Sequence, residues 1–388
     1  MRTCALPFAA LLALAFPLAA QEEARPRTAL RVVEITGSPW ERGCAHGTAL
    51  RAEIAVLLRR WTADVQQNFG VSRDEFVRRF LDGTSYEAAA RKWTPELLDE
   101  VRGIAAGAAV DYPTMLVWQL IDEIWASGPV VLRQVTHDKC TAFGVDRIGD
   151  QPAFVAQNLD VPAWYHGFPT VLHVRDEARG LQAFVVTIPG LVGAAGMNSA
   201  RVAVACNTLL QLRPCRDGLP VAFVVRGLLA QSDHAQALAF LQRVVHASGQ
   251  NYTVGGPLQA PGFECSAGKV VRCEPWPGAP FTFHTNNPFA NDDFAAGYAE
   301  RARKAGADPF VGVRACPRLQ ACRAALPLGA HPDVAAVKAL LASRAGAPSI
   351  CNDGTYASFV MVLGERPELQ IAPGQPDRTP YEVLHFAP

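Results

Sequence analysis

The 388-residue chain changes its hydrophobic period once, near residue 130, and that switch constrains the fold more than any motif does. Upstream the pattern is helical. Ser38-Pro39-Trp40-Glu41 reads as a capping box with proline in the first turn, and Ile54, Leu57, Leu58 and Trp61 follow at helical spacing. Ser72 with Glu75 and Thr84 with Glu87 repeat the box. Thr94-Pro95-Glu96 opens another helix, and Asp111-Tyr112-Pro113 one more that runs through Trp118 and Trp125. Trp40, Trp61, Trp93 and Trp118 are expected in the core of these helices.

Downstream of residue 139 the chain reads as hairpins. Thr141 to Val145 and Ala153 to Gln157 flank a Gly149-Asp150 turn, and Val171 to Val174 and Ala183 to Ile188 flank Asp176 to Gly180. Val192 to Ala195 and Val202 to Ala205 bracket Asn198-Ser199, and Tyr252 to Val254, Phe281 to Phe283, Ser358 to Leu363 and Leu369 to Ile371 add strands. Helices are expected from Ser232 through Val245, from Val313 to Leu326 and from Pro332 to Leu341. Strands joined by hairpins, with helical stretches before and between them, predict an α+β fold of antiparallel sheets covered by helices.

Composition narrows the function classes. Thirty-six basic residues balance 36 acidic ones, which argues against a nucleic-acid binder. Arg2, an apolar run from Ala5 to Ala20, and polar residues from Gln21 have the form of a secretory signal over residues 1–20, and no later stretch is apolar enough to span a membrane. A periplasmic or secreted protein is the expectation. Nine cysteines then remain, an odd number, so at least one thiol is left unpaired; Cys265/Cys273 and Cys316/Cys322 are near enough in sequence to form disulfides. No CxxC, P-loop, HExxH or GxSxG occurs.

Cys140 stands at the switch itself, in His137-Asp138-Lys139-Cys140-Thr141. A structural or disulfide-bonded cysteine, a metal site shared with His137, and a nucleophile heading a strand all fit the local sequence. Polar residues at strand ends favour the third. Asp160 ends the strand expected to pair with that of Cys140, Asn207 ends another, and Thr285-Asn286 a third. His173 and His284 read as structural histidines, and Glu300 to Lys304 as a solvated helix face.

With these segments in order, the chain resembles the acyl-coenzyme A:6-aminopenicillanic acid acyltransferase (isopenicillin N acyltransferase-like) family of N-terminal-nucleophile hydrolases, distantly related to choloylglycine hydrolases. The resemblance runs through Gly37-Ser38-Pro39-Trp40-Glu41-Arg42-Gly43, His46-Gly47, Cys140-Thr141 and Gln157-Asn158-Leu159-Asp160. It continues through Pro189-Gly190, Gly196-Met197-Asn198, Asn207-Thr208-Leu209, Asn251-Tyr252, Thr285-Asn286 and the tail from Ile350-Cys351 to Gly374-Gln375-Pro376. It implies an αββα sandwich in which residues 21–388 form one folded unit. It also implies self-cleavage between Lys139 and Cys140, leaving an α chain of residues 21–139 associated with a β chain of residues 140–388. Lys139 departs from the glycine expected before the nucleophile. By resemblance Cys140 carries the acyl group as a thioester, Asp160 holds the new α-amino group, Asn207 donates to the oxyanion, and Asn286 orients the pair. Arg314 completes the set, with Arg318 as its alternative. The expected substrate is a small N-acyl amide, and no cofactor or metal is implied. Coenzyme A-dependent acyl transfer and a non-catalytic extracellular binding protein are the alternatives.

Overall fold

A computed structural model describes residues 29–127, 140–304 and 316–387. The expected signal segment, His137, Lys139 and Arg314 lie outside the described residues. The helical half starts where its caps predict. Ser38 and Glu41 exchange both capping bonds (2.7 and 3.3 Å) at the head of α1 (Pro39–Ala49). Helix α2 (Arg51–Phe69) ends at Gly70 in the left-handed region (φ 71°). Ser72 caps α3 (Arg73–Asp82). The Thr84 box does not form: Ser85 occupies the cap of α4 (Tyr86–Trp93), and the Thr84 hydroxyl turns back onto the Phe80 carbonyl (3.0 Å). Helix α5 (Pro95–Ala108) follows, then α6 (Tyr112–Trp118), capped by Asp111, and α7 (Ile121–Ser127). The single helix expected through Trp118 and Trp125 is thus two.

Helices α1 and α5 touch backbone to backbone. A Cβ added at Gly43 would lie 2.0 Å from the Glu100 carbonyl oxygen, and one at Gly103 2.3 Å from that of Trp40. The same holds at Gly47 against Ile104 and at Gly107 against Cys44, at 2.3 and 2.5 Å. Two Gly-x-x-x-Gly stretches therefore set the approach of these helices. Trp61 and Trp118 are in the core as expected, but Trp40 is 47% exposed, because its ring lies on the face of α1 turned away from that contact.

The chain then builds two facing sheets. One is eight-stranded, in the order β1 (Arg31–Ile35), β4 (Thr170–Asp176), β5 (Leu181–Thr187), β6 (Ala195–Asn198), β7 (Ala203–Thr208), β8 (Gln250–Gly255), β9 (Gly262–Cys265), β10 (Val270–Cys273). The other is six-stranded: β11 (Phe281–His284), β2 (Thr141–Val145), β3 (Phe154–Asp160), β12 (Thr355–Val362), β13 (Glu368–Ala372), β14 (Glu382–His385). All these pairings are antiparallel except β1 with β4. Strand β1 escaped the sequence reading because it is only five residues long and ends just before the first cap. The hairpin around Asn198 forms, but its first strand is Ala195–Asn198, with Val192 held outside it by Gln119 and Arg226.

Helices α8 (Val221–Leu229) and α9 (His234–Arg243) cover the outer face of the eight-stranded sheet. Helix α10 (Ala296–Lys304) follows β11, and α11 (Pro317–Ala325) and α12 (Val334–Leu341) cover the six-stranded sheet. The architecture is α+β, two antiparallel-rich sheets between helices. Helix α8 is buried along its whole length and shows no polar face to read, so periodicity did not reveal it. Helix α9 stops before Val245, which is exposed. Among the described residues no helix is long and apolar enough to cross a membrane. One core joins residues before 127 to residues after 140, and a smaller one lies under α11 and α12.

The nine described cysteines are all free thiols, which corrects the expected disulfides. In the β9–β10 hairpin Cys265 stands opposite Val270 and Cys273 opposite Gly262, so the register holds the two sulfurs at opposite ends of the ladder. Cys316 caps α11 while Cys322 lies within it, buried against the second core.

Candidate active site

Cys140 immediately precedes β2, and the register of β2 with β3 sets Thr141 opposite Asn158. That pairing returns the end of β3 to the thiol. The Asp160 N–H donates to Cys140 Sγ (3.4 Å), and the thiol lies 3.6 Å from the Asp160 carbonyl oxygen. The Asp160 carboxylate accepts from Asn352 Nδ2 at 2.7 Å. Burial and then the Asp160 charge push the Cys140 thiol up to about 12, against the Asp160 N–H, Arg318 and Gln157, which pull it down. In the intact chain the sulfur is therefore a thiol at neutral pH.

Arg318, on α11, reaches this point from the six-stranded side. Its Nη1 donates to the Cys140 carbonyl oxygen (2.6 Å) and to Thr141 Oγ1 (2.9 Å), and its Nη2 to Asn286 Oδ1 (3.1 Å). Of the two arginines the sequence offered, Arg318 is the one the described structure brings to Cys140. Asn286 in turn donates to the Thr208 carbonyl oxygen (3.1 Å), tying the loop after β11 to the end of β7. Glu264 holds that loop: its carboxylate accepts from the amides of Phe289, Ala290 and Asn291 (2.8, 3.0 and 2.6 Å) and from His284 Nε2 (2.9 Å). Glu264, Cys273 and His284 present metal-ligand atoms within 4.8 Å of one another, but these four donors already fill the carboxylate's oxygens.

Asn207 is on the facing sheet. Its Oδ1 accepts from Asn251 Nδ2 (3.1 Å), while its buried Nδ2 has no partner among the described residues. The face it shares with Asn251 and Thr253 is the one turned to the six-stranded sheet: Thr253 Cγ2 lies 2.8 Å from where a Cβ on Gly144 of β2 would stand. Gln157 bolts the sheets together beside it, donating to the Cys206 carbonyl (2.5 Å) and accepting from the Cys206 amide (3.3 Å). The structure thus links Cys140, Asp160, Asn286 and Arg318 directly, and Asn207 through Thr208 and Gln157. Gln157, Asn251 and Asn352 were passed over as site residues. All three lie in segments that carried the family resemblance, which was the available signal. Beyond Asp160 the chain turns through Pro162, Trp164 and Tyr165 into a cleft whose other wall is Trp61, Ile121 and Trp125.

Residues 149–294 match the profile of the family described as acyl-coenzyme A:6-aminopenicillanic acid acyl-transferase. The family resemblance read from the sequence therefore holds. The matched stretch runs from the turn before β3 to the loop after β11 and contains Asp160, Asn207 and Asn286. An uncharacterized protein of Archaeoglobus fulgidus is 24% identical over 227 residues, 52% of this chain, which spans 37% of that relative's length. A penicillin V acylase from Agrobacterium tumefaciens is similar at 15% identity over 64% of this chain and 86% of its own, with a TM-score of 0.36. Over residues 149–294 the chain is acyltransferase-like.

Proposed function

We propose that this protein is a self-processing amidohydrolase whose nucleophile is Cys140, and that it cleaves linear N-acyl amides through an acyl-Cys140 thioester. The observation that carries this reading is the Arg318 guanidinium spanning the Cys140 carbonyl, Thr141 and Asn286, which fixes the residue that would become a new N-terminus. In the first step the Cys140 sulfur attacks the Lys139 carbonyl carbon. The Lys139–Cys140 C–N bond breaks, the proton from the thiol passes to the departing nitrogen, and water hydrolyses the thioester. This releases a Lys139 carboxylate and a free α-amine on Cys140.

That amine has an ordinary pKa of about 7.7–8.0, so it can take the proton of its own thiol near neutral pH. The sulfur then attacks a substrate acyl carbon, the Asn207 amide donates to the oxyanion, and the amine product leaves with the proton. Water resolves the second thioester. Asp160 holds the α-ammonium beside the sulfur, and Asn286 keeps Arg318 in register. The aromatic cleft beyond Asp160 suits an apolar acyl group. The shared core and the parallel β1–β4 ladder would keep the two chains associated after cleavage. Secretion follows from the signal-like first twenty residues.

Acyl transfer to an amine is a second reading, favoured by the name of the matching family. The deciding experiment is intact mass and N-terminal sequencing of the full-length protein beside Cys140→Ala. A wild type of two chains, one beginning at Cys140, and a single chain in the variant are expected. One chain in both would sink the self-processing mechanism.

A further inference from the structure

We propose that Asn251 is a positioning residue that decides which end of the Asn207 amide faces the reacting carbonyl, and so makes Asn207 an oxyanion donor. The inference rests on the reading of Asn207 given above. The two ends of a carboxamide are nearly equal in shape, so its hydrogen-bond partners set which end donates. Asn207 and Asn251 stand directly opposite each other in the β7–β8 ladder, both fully buried. Asn251 Nδ2 donates to Asn207 Oδ1 (3.1 Å) and to Thr253 Oγ1 (3.3 Å), while its Oδ1 accepts from Cys273 Sγ (3.3 Å).

The direction of these hydrogen bonds follows from the far end of the row. Cys273 is buried, and burial holds its thiol protonated, so it donates. That donation draws Asn251 Oδ1 toward the sulfur and turns Asn251 Nδ2 toward Asn207. Asn207 Oδ1 is thereby occupied, and its Nδ2 is left as a buried donor with no partner among the described residues. A buried amide N–H without a partner costs stability. A group that appears in the reaction, a developing oxyanion, supplies the partner the folded chain withholds.

The test uses the full-length chain with an N-acyl p-nitroanilide as probe, in four forms: wild type, Asn207→Ala, Asn251→Asp and the double variant. The carboxylate that Asn251→Asp introduces has no N–H to give and would accept from Asn207 Nδ2 instead, removing the oxyanion donor without touching Asn207. Both single variants are expected to lose about 10²-fold in kcat with little change in KM. The double variant should be no slower than Asn207→Ala alone, because both changes remove one and the same interaction.

Multiplying losses in the double variant, or a wild-type kcat in Asn251→Asp beside a slow Asn207→Ala, would overturn the proposal. A wild-type kcat in Asn207→Ala would instead overturn the oxyanion reading beneath it. So would a wild type inert toward the anilide. If Asn251→Asp does not fold, Asn251→Leu leaves the Asn207 amide free to turn either way. It should show a smaller fall in kcat at unchanged KM, and a lowered melting temperature with unchanged kcat would reduce Asn251 to a packing role.

Discussion

At Glu100 two arginines close on a single carboxylate, whereas at Cys140 a single arginine is divided among a carbonyl, a hydroxyl and an amide. Arg226 makes a bidentate pair with Glu100 (2.6 and 2.9 Å), and Arg42 approaches it at 3.4 Å. All three are buried, where α5 meets α1 and α8. Burial alone would raise the Glu100 carboxyl, but the two arginines hold it below its ordinary value. The donors around Cys140 are arranged otherwise, with Asn207 Nδ2 left unpartnered among the described residues and the thiol protonated. Both regions bury polar groups at the junction of the chain's two halves. The first saturates its charge; the second leaves a buried donor unpartnered among the described residues, the capacity that the proposed reaction would use.

The largest expected effect breaks the first cluster. Glu100→Ala leaves Arg226 and Arg42 buried without a counter-charge and should cost about 3–5 kcal/mol in urea unfolding. The kcat of the folded fraction should be unchanged. A loss below about 1 kcal/mol would show that Arg226 and Arg42 find other partners and would end the contrast.

Arg318→Lys probes the second cluster at similar scale with the opposite signature. A lysine keeps the charge but cannot span three acceptors in one plane. A fall of about 10²-fold in kcat is expected, comparable to loss of one fixed transition-state donor. Wild-type turnover in this variant would mean that charge alone suffices, and the bridging geometry would lose its role.

The sequence made these two regions unequally legible. Hairpin pattern and strand-end polar residues led to Cys140, Asp160, Asn207 and Asn286, because turns and strand ends carry local signatures. The choice between Arg314 and Arg318 was closed to such reading, since it depends on how α11 lies against β2, a contact between residues 178 positions apart. Gln157 and Asn251 were hidden for the same reason: each is one of several polar residues in a buried strand, and only its cross-sheet or cross-strand partner gives it meaning. The Glu100 cluster left no trace, because Arg42 and Glu100 look like ordinary helix-surface residues, and Arg226 lies in the helix that periodicity did not reveal, until α1, α5 and α8 converge. Trp40 misled in the converse way. Helical spacing marks one stripe as buried, yet glycines rather than the large side chain make the α1–α5 contact.

A smaller effect tests that contact. Gly43→Ala places a methyl group where the Glu100 carbonyl oxygen lies 2.0 Å away, so α1 and α5 must separate. About 1–3 kcal/mol of stability should be lost, the usual range for overpacking. Gly70→Ala, at a left-handed cap with open space around it, should lose about 1 kcal/mol or less through backbone strain alone. Equal losses at the two positions would remove the close helix approach from the account.

The last effect is a dependence of stability on pH. His46 sits beside the Glu100 cluster and accepts the Gly190 N–H on Nε2 (3.0 Å), and His246 bonds the Leu241 carbonyl (3.0 Å). Burial lowers both imidazoles from the ordinary 6.5 to about 4; at His46 the Glu100 charge opposes the shift and Arg226 adds to it. Between pH 6.5 and 4 the unfolded chain therefore binds protons at these sites that the folded chain does not. The contribution of these two sites to stability must fall as pH falls through this window, by at most about 1.4 kcal/mol per pH unit for each histidine, and be level above it. His46→Gln should flatten the melting-temperature profile between pH 6.5 and 4. An unflattened profile would mean that His46 is charged in the fold and that the Glu100 cluster holds a third cation, against the saturated pairing from which the contrast with Cys140 was drawn.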